Sequence, residues 1–227
     1  MSGADTRWHV YADPTEVARK TAERILAAAD RAIAARGVFR IVLAGGRTPE
    51  QAYRLLRDAD TDWSRWQVYF GDERCLPPQD PQRNSVMAAR AWLDPMLIPT
   101  GNIHPIPAER GAKAAARAYA QVIARALPFD LVLLGMGEDG HTASLFPGQA
   151  HTESESVHAV HDAPKPPPER VSLSRSALGD AREILILVTG EGKRDALRRW
   201  RAGEPLPVAS IRGPGGVDVL LDQATRS

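Results

Sequence analysis

The chain has 227 residues, a formal net charge of +1, 43% hydrophobic and 25% charged residues, and a single cysteine. This length can bury a substantial core, and the near-zero charge gives no reason to expect nucleic acid or an anionic membrane, so any basic site must be local. One cysteine excludes an internal disulfide framework and fits a reducing compartment. No apolar run approaches the roughly 20 residues of a membrane span, and the start MSGADTRWHV lacks the apolar core of a secretory signal. A cytoplasmic protein is expected, forming one domain over residues 1–227.

Residues 8–11 read as a short strand. Asp13-Pro14-Thr15-Glu16 then opens an Ala-rich helix with a capping side chain, Pro at the first helical position and Glu at the third. Apolar residues from Val17 to Ile33 fall at three-and-four spacing until Gly37 ends the helix. Residues 38–44 form a strand that runs into Gly45-Gly46-Arg47-Thr48-Pro49, where Thr48 is expected to cap a helix and Pro49 to start it. A glycine turn between strand and helix leaves backbone N–H groups unpaired at the positive end of the helix dipole. It is either a tight turn or an anion site. Neither the dinucleotide nor the Walker glycine pattern is present, which argues against a nucleotide.

Trp66–Phe70 is the third strand, followed by Gly71-Asp72-Glu73-Arg74. A proline-rich loop leads to a helix capped by Asn84 or Ser85 and ending near Trp92. Residues 103–107 suggest a short strand, and residues 109–126 an Ala-rich helix closed by Pro128. Residues 131–134 form a buried strand that passes directly into Gly135-Met136-Gly137-Glu138-Asp139-Gly140-His141. Residues 149–169, rich in His, Ser and Pro, read as an irregular loop or lid in which His151, His158 and His161 are solvated. Strands follow at residues 169–174, with Ser174 capping a helix, at 184–188 and at 217–221. A helix runs from about Lys193 to Arg201.

Strands alternating with helices imply an α/β fold: a mostly parallel, Rossmann-like sheet covered by helices on both faces. Right-handed crossovers then bring residues 45–48, 72–74, 139–141 and 190–193 to one edge of the sheet. In such sheets ligands bind beyond the carboxyl ends of the strands. His141 there is either a satisfied structural imidazole or a catalytic base, and three further polar strand ends facing it favour the base.

AGGRTP at residues 44–49, FGDERCLPP at 70–78, LLGMGEDGHTASLFPG at 133–148, ERVSLS at 169–174 and VTGEGK at 188–193 together resemble, in order, the motifs of the 6-phosphogluconolactonase family. The likeness covers roughly residues 8–221. Arg47 stands where many members carry Ser, and the order around Asn84 departs from the family, so Asn84 is assigned no catalytic role. The related glucosamine-6-phosphate deaminases share the glycine loop, the acidic segment and Asp-Gly-His. The continuation Thr142-Ala143-Ser144-Leu145-Phe146-Pro147 and the pair Glu73-Arg74 are the lactonase forms.

The resemblance implies hydrolysis of 6-phospho-D-glucono-1,5-lactone, with a glucosamine-6-phosphate deaminase/isomerase or a non-catalytic phosphosugar-sensing module as alternatives. It assigns His141 as base, Asp139 as its orienting partner, and Arg74 to the oxyanion or the sugar. The phosphate falls to Gly45, Gly46, Arg47 and Thr48 of the glycine loop, with Arg170 and Lys193. No cofactor and no metal are expected. The partner is a small phosphosugar lactone, with no nucleic acid or membrane, and the chain is a monomer or small homo-oligomer. Cys75 reads as a small buried apolar residue.

Overall fold

The computed structural model describes residues 6–150, 152 and 154–226. In chain order the regular elements are β1 (Thr6–Tyr11), α1 (Pro14–Arg36), β2 (Phe39–Leu43), α2 (Arg47–Leu55), β3 (Trp66–Phe70), β4 (Asp72–Arg74), α3 (Asn84–Ala88), β5 (Ile103–His104), α4 (Ala112–Ile123), β6 (Phe129–Gly135), β7 (Val157–Val160), β8 (Arg170–Leu173), α5 (Arg175–Gly179), β9 (Ala181–Val188), α6 (Arg194–Arg201), β10 (Val217–Asp222) and α7 (Gln223–Arg226). Seven strands form one sheet in the order β1-β10-β9-β6-β2-β3-β5, and every neighbouring pair is parallel. From β2 the chain steps outward to β3 and β5, then returns to lay β6 against the other side of β2 and continues to β9 and β10. The loops after β2 and β6 therefore leave in opposite directions and open a crevice between them. That crevice contains the glycine loop and His141.

The sequence explains why these elements form. Asp13 accepts a hydrogen bond from Glu16 N at 2.9 Å, Pro14 fills the first position of α1, and Gly37, at φ +71°, ends it with N–H donated to Ile33 O at 2.8 Å. Its buried residues Val17, Ala18, Thr21, Ala22, Ile25, Ala28, Ala29 and Ala32 make one face, and the small alanines let the helix lie close on the sheet. Phe129 through Leu134 of β6 are all buried, as a strand covered on both faces requires. Burial of each Leu or Val there contributes roughly 1.5–3 kcal/mol. One apolar core runs from α1 to β10 and includes Val157, Val171 and Leu173 of a second sheet.

That second sheet corrects one expectation and sharpens another. β4, β8 and β7 form an antiparallel unit beside the main sheet, so residues 149–169 are not irregular throughout, and Asp72–Arg74, read as a polar strand end, is itself a short strand. Val157 and Val160 face apolar neighbours while the prolines confine themselves to the return toward β8, which hid a four-residue strand from a reading by composition. His158 is correspondingly 4% exposed instead of solvated, with Nδ1 3.3 Å from Glu155 Oε2. His161 is exposed and pairs with Glu169, and His151 lies outside the described residues.

Helix starts also differ. α2 begins at Arg47, and Thr48 makes no cap; its hydroxyl lies 2.7 Å from that of Thr189. α4 begins at Ala112 after Gly111, leaving Glu109 in a preceding turn. Neither Asn84 nor Ser85 caps α3 through its own side chain. The buried Glu73 carboxylate does so from β4, accepting from Asn84 N at 2.8 Å, Ser85 N at 2.9 Å and Ser85 Oγ at 2.7 Å. A cap supplied eleven residues upstream leaves no local signature. Among the described residues, no helix is long and apolar enough to cross a membrane.

Candidate active site

The crevice at the β2/β6 switch holds a cavity of about 220 Å³ bordered by Gly45, Gly46, Asp72, Arg74, Asn84 and His141, with Lys165, Arg170 and Lys193 also on its wall. A second recess of about 430 Å³ shares Gly45, Gly46 and Lys193 and extends past Arg47 and Thr48 to Thr189. The expected strand ends do converge. A larger, more apolar cavity of about 500 Å³ lies under α3 near Phe70 and Leu93, away from His141.

His141 is tied to Asp139 as the local turn dictates. Gly137 N donates to His141 O at 2.8 Å and Gly140 N to Gly137 O at 3.0 Å, folding the segment back on itself. A Cβ on Gly137 would stand 2.0 Å from His141 Nδ1 and 2.5 Å from Asp139 Oδ1, so only glycine leaves room for the pair. Asp139 Oδ1 lies 2.5 Å from His141 Nδ1 and also accepts from His141 N at 3.2 Å. An ionised carboxylate can only accept, which places the ring proton on Nδ1 and leaves the lone pair on Nε2.

Burial pushes the His141 pKa below its ordinary value, although the Asp139 carboxylate opposes this. Burial alone would raise Asp139, but its hydrogen bonds and charge interaction with His141 hold it below the usual carboxylate value. The resting pair is thus a neutral imidazole beside a carboxylate. The ring packs against Phe146, with centroids 4.6 Å apart.

The Thr142–Pro147 stretch shapes the opposite wall. Thr142 Oγ1 donates to Gly135 O at 2.8 Å, Ala143 takes a left-handed φ of +48°, and the fully buried Ser144 donates Oγ to Asp72 Oδ2 at 2.7 Å. The other Asp72 oxygen accepts from Asn84 Nδ2 at 3.0 Å. Asn84, assigned no catalytic role from sequence, is a wall residue. A Cβ on Gly45 would fall 2.1 Å from Asn84 Oδ1, so the glycine loop and α3 interlock.

The cations divide into two kinds. Arg74 donates through Nη1 to Gln82 O, and its buried Nε has no partner among the described residues. Arg170, 5% exposed, donates Nε to Pro167 O at 3.0 Å and Nη2 to Lys165 O and Pro166 O at 3.1 and 3.0 Å; Nη1 stands 3.5 Å from Ser144 Oγ. Much of its hydrogen-bonding capacity is spent on a proline segment. Lys193 is different. Burial lowers its pKa, with Glu138 opposing and Lys165 adding to the effect, and its Nζ donates no hydrogen bond to another described residue. Arg47 is exposed at the outer recess. Sequence reasoning brought Asp72 to this edge without a role, gave Asn84 no catalytic one, and missed Ser144 and Lys165. The contact between Ser144 and Asp72 spans 72 residues and no local pattern announces it.

Cys75 is half-buried and packs partly against the core. Burial, reinforced by Glu169, pushes its thiol up to about 11. Among the described residues no three His, Cys, Asp or Glu side chains stand together as a metal-holding group.

A parallel sheet with a glycine loop, an Asp-His pair and cations at its switch point defines a phosphosugar-enzyme class of fold, and residues 12–220 match the profile of the glucosamine-6-phosphate isomerases/6-phosphogluconolactonase family. The chain belongs to that family. It is 39% identical to the 6-phosphogluconolactonase of Streptomyces coelicolor, over 96% of this chain and 92% of that one. Its fold superposes on the 6-phosphogluconolactonase structure of Thermotoga maritima with a TM-score of 0.90 at 28% identity, covering 96% of this chain and all of the other. The Trypanosoma brucei 6-phosphogluconolactonase gives 0.86 at 29% identity, covering 98% of each.

Proposed function

We propose that this protein hydrolyses 6-phospho-D-glucono-1,5-lactone to 6-phospho-D-gluconate, the second step of the oxidative pentose phosphate pathway, in the cytoplasm. The observation that carries the reading is the neutral His141, held by Asp139 with Nε2 free, on the wall of a crevice that also contains the glycine loop and Lys193. His141 Nε2 takes a proton from water as its oxygen bonds to the lactone carbonyl carbon, and Asp139 stabilises the imidazolium that results. Arg74, on the wall of the same cavity, meets the oxyanion or a sugar hydroxyl. Collapse breaks the bond to the ring oxygen, and His141 returns its proton to that leaving oxygen. Water supplies the only atoms added, so no cofactor enters the balance.

The substrate phosphate belongs at residues 45–48, where backbone N–H groups at the start of α2 share a recess with Lys193, with Arg170 on the wall of the adjoining cavity and Arg47 at the outer rim. Binding energy gained there holds the carbonyl against His141. The decisive assay is lactone hydrolysis, corrected for the spontaneous rate, set beside ammonia release from glucosamine 6-phosphate. Hydrolysis without ammonia is expected. Ammonia release would install the deaminase, and binding without turnover a sensor. Loss of hydrolysis on EDTA treatment, restored by a divalent cation, would overturn the metal-free mechanism.

A further inference from the structure

We propose that Lys165, carried on the proline strap of residues 163–168, is a substrate-binding cation that grips the phosphate of the lactone from the side opposite the glycine loop. This rests on the lactonase reading and extends it to a residue outside the glycine loop and its neighbouring cations. Lys165 borders the same cavity as Gly45, Gly46, His141 and Lys193. Its Nζ stands 4.0 Å from Asp139 Oδ1, too far for a full hydrogen bond, so the ammonium is not committed to the carboxylate. Lys165 and Lys193 border the same cavity and repel each other, and a dianion between them relieves that repulsion.

The strap is built to hold this position. Ala163 N donates to Pro168 O at 3.0 Å and closes the loop, while Arg170 fixes it from beneath through the carbonyls of Lys165, Pro166 and Pro167. Ala163 shares an apolar cluster with Val160 and Phe146, and the Phe146 ring packs on His141 and lies 5.5 Å from the Arg170 guanidinium carbon. Lys165 is therefore referenced to the base through Phe146, which both the strap and Arg170 touch. At residue 165 this anchoring uses the backbone carbonyl, so replacing the side chain leaves the strap's hydrogen bonds in place. Arg170 acts in part as the positioning residue for Lys165.

The test compares Lys165→Met and Lys165→Arg with the parent protein. For each, kcat and KM are measured on the phosphorylated lactone and on unphosphorylated glucono-1,5-lactone, and Kd for 6-phosphogluconate and gluconate by titration calorimetry. Lys165→Met should raise KM for the phosphorylated lactone and Kd for 6-phosphogluconate about 10-fold, with kcat little changed, as loss of one charged phosphate contact implies. The preference for phosphorylated over unphosphorylated lactone should fall by the same factor, and Lys165→Arg should restore most of it. Unchanged affinity in Lys165→Met overturns the proposal. So does an equal fall of kcat on both lactones with the preference for the phosphorylated one unchanged, which would place Lys165 on Asp139. If the parent protein turns over neither lactone, the functional reading fails, while the two Kd values still decide the role of Lys165.

Discussion

At the scale of single residues, the chemistry depends on which form of His141 faces the cavity. Burial lowers its pKa, Asp139 and Asp72 raise it, and Lys165 lowers it, the net result lying below the ordinary imidazole value. Activity that needs the neutral ring is present above this pKa and lost as pH falls through it, so the acid limb of kcat/KM should have its midpoint below about 6.5. A midpoint above that value would contradict the assignment. Asp139→Asn removes the carboxylate that stabilises the imidazolium and fixes the tautomer. Its kcat should drop on the order of 10-fold or more, and its acid limb should move to still lower pH. His141→Ala should lose roughly 10²–10⁴ in kcat while still binding 6-phosphogluconate; near-normal kcat would remove it from the mechanism. Cys75, with its thiol pushed up to about 11, is not a thiolate at neutral pH, and an alkylated protein should retain turnover.

At the scale of elements, the site depends on turns that allow close approach. Gly137→Ala would drive a methyl group into the His141–Asp139 pair, and kcat should fall by about 10² or more while KM for the phosphorylated lactone changes little. Unaltered kcat would mean that the pair tolerates displacement. Glu73→Gln weakens the cap on α3 and leaves an amide donor where three donors converge, so unfolding free energy should drop by about 1–3 kcal/mol in a urea titration. The main strands and α1 were legible in the sequence because periodicity, caps and glycine stops are local. The Gly45, Asp139 and His141 placements were legible because each follows a buried strand. The small sheet was not: β4 and β8 pair across about a hundred residues, and β7 is four residues inside a polar segment. Asn84 and Ser144 likewise acquire meaning only when folding brings Asp72 between them.

At the scale of the whole molecule, the switch point and the β1 edge of the sheet have separate tasks. The central strands carry the site, while toward the edge Asp218 of β10 binds Arg7 at 2.7 Å, His9 at 2.6 Å and Arg24 at 3.1 Å, tying β1 and α1 to the sheet. Burial alone would raise the Asp218 pKa, but these partners hold it well below the usual carboxylate range. A depressed folded pKa contributes stability that is present above the unfolded value near 3.9 and lost as pH falls through it toward the folded one. The difference in Tm between the parent protein and Asp218→Asn should therefore shrink progressively as pH falls below about 5, and a pH-independent difference would contradict the network's ionic character. Activity measured at neutral pH should be indifferent to that substitution, since none of Arg7, His9, Arg24 and Asp218 borders either recess at the switch point. The central claim is lactone hydrolysis by His141, and its most direct measurement is the rate at which purified protein converts 6-phospho-D-glucono-1,5-lactone above the spontaneous background, with His141→Ala in parallel. A rate well above background in the parent and near background in the variant is predicted, and equal rates in the two proteins would contradict the account.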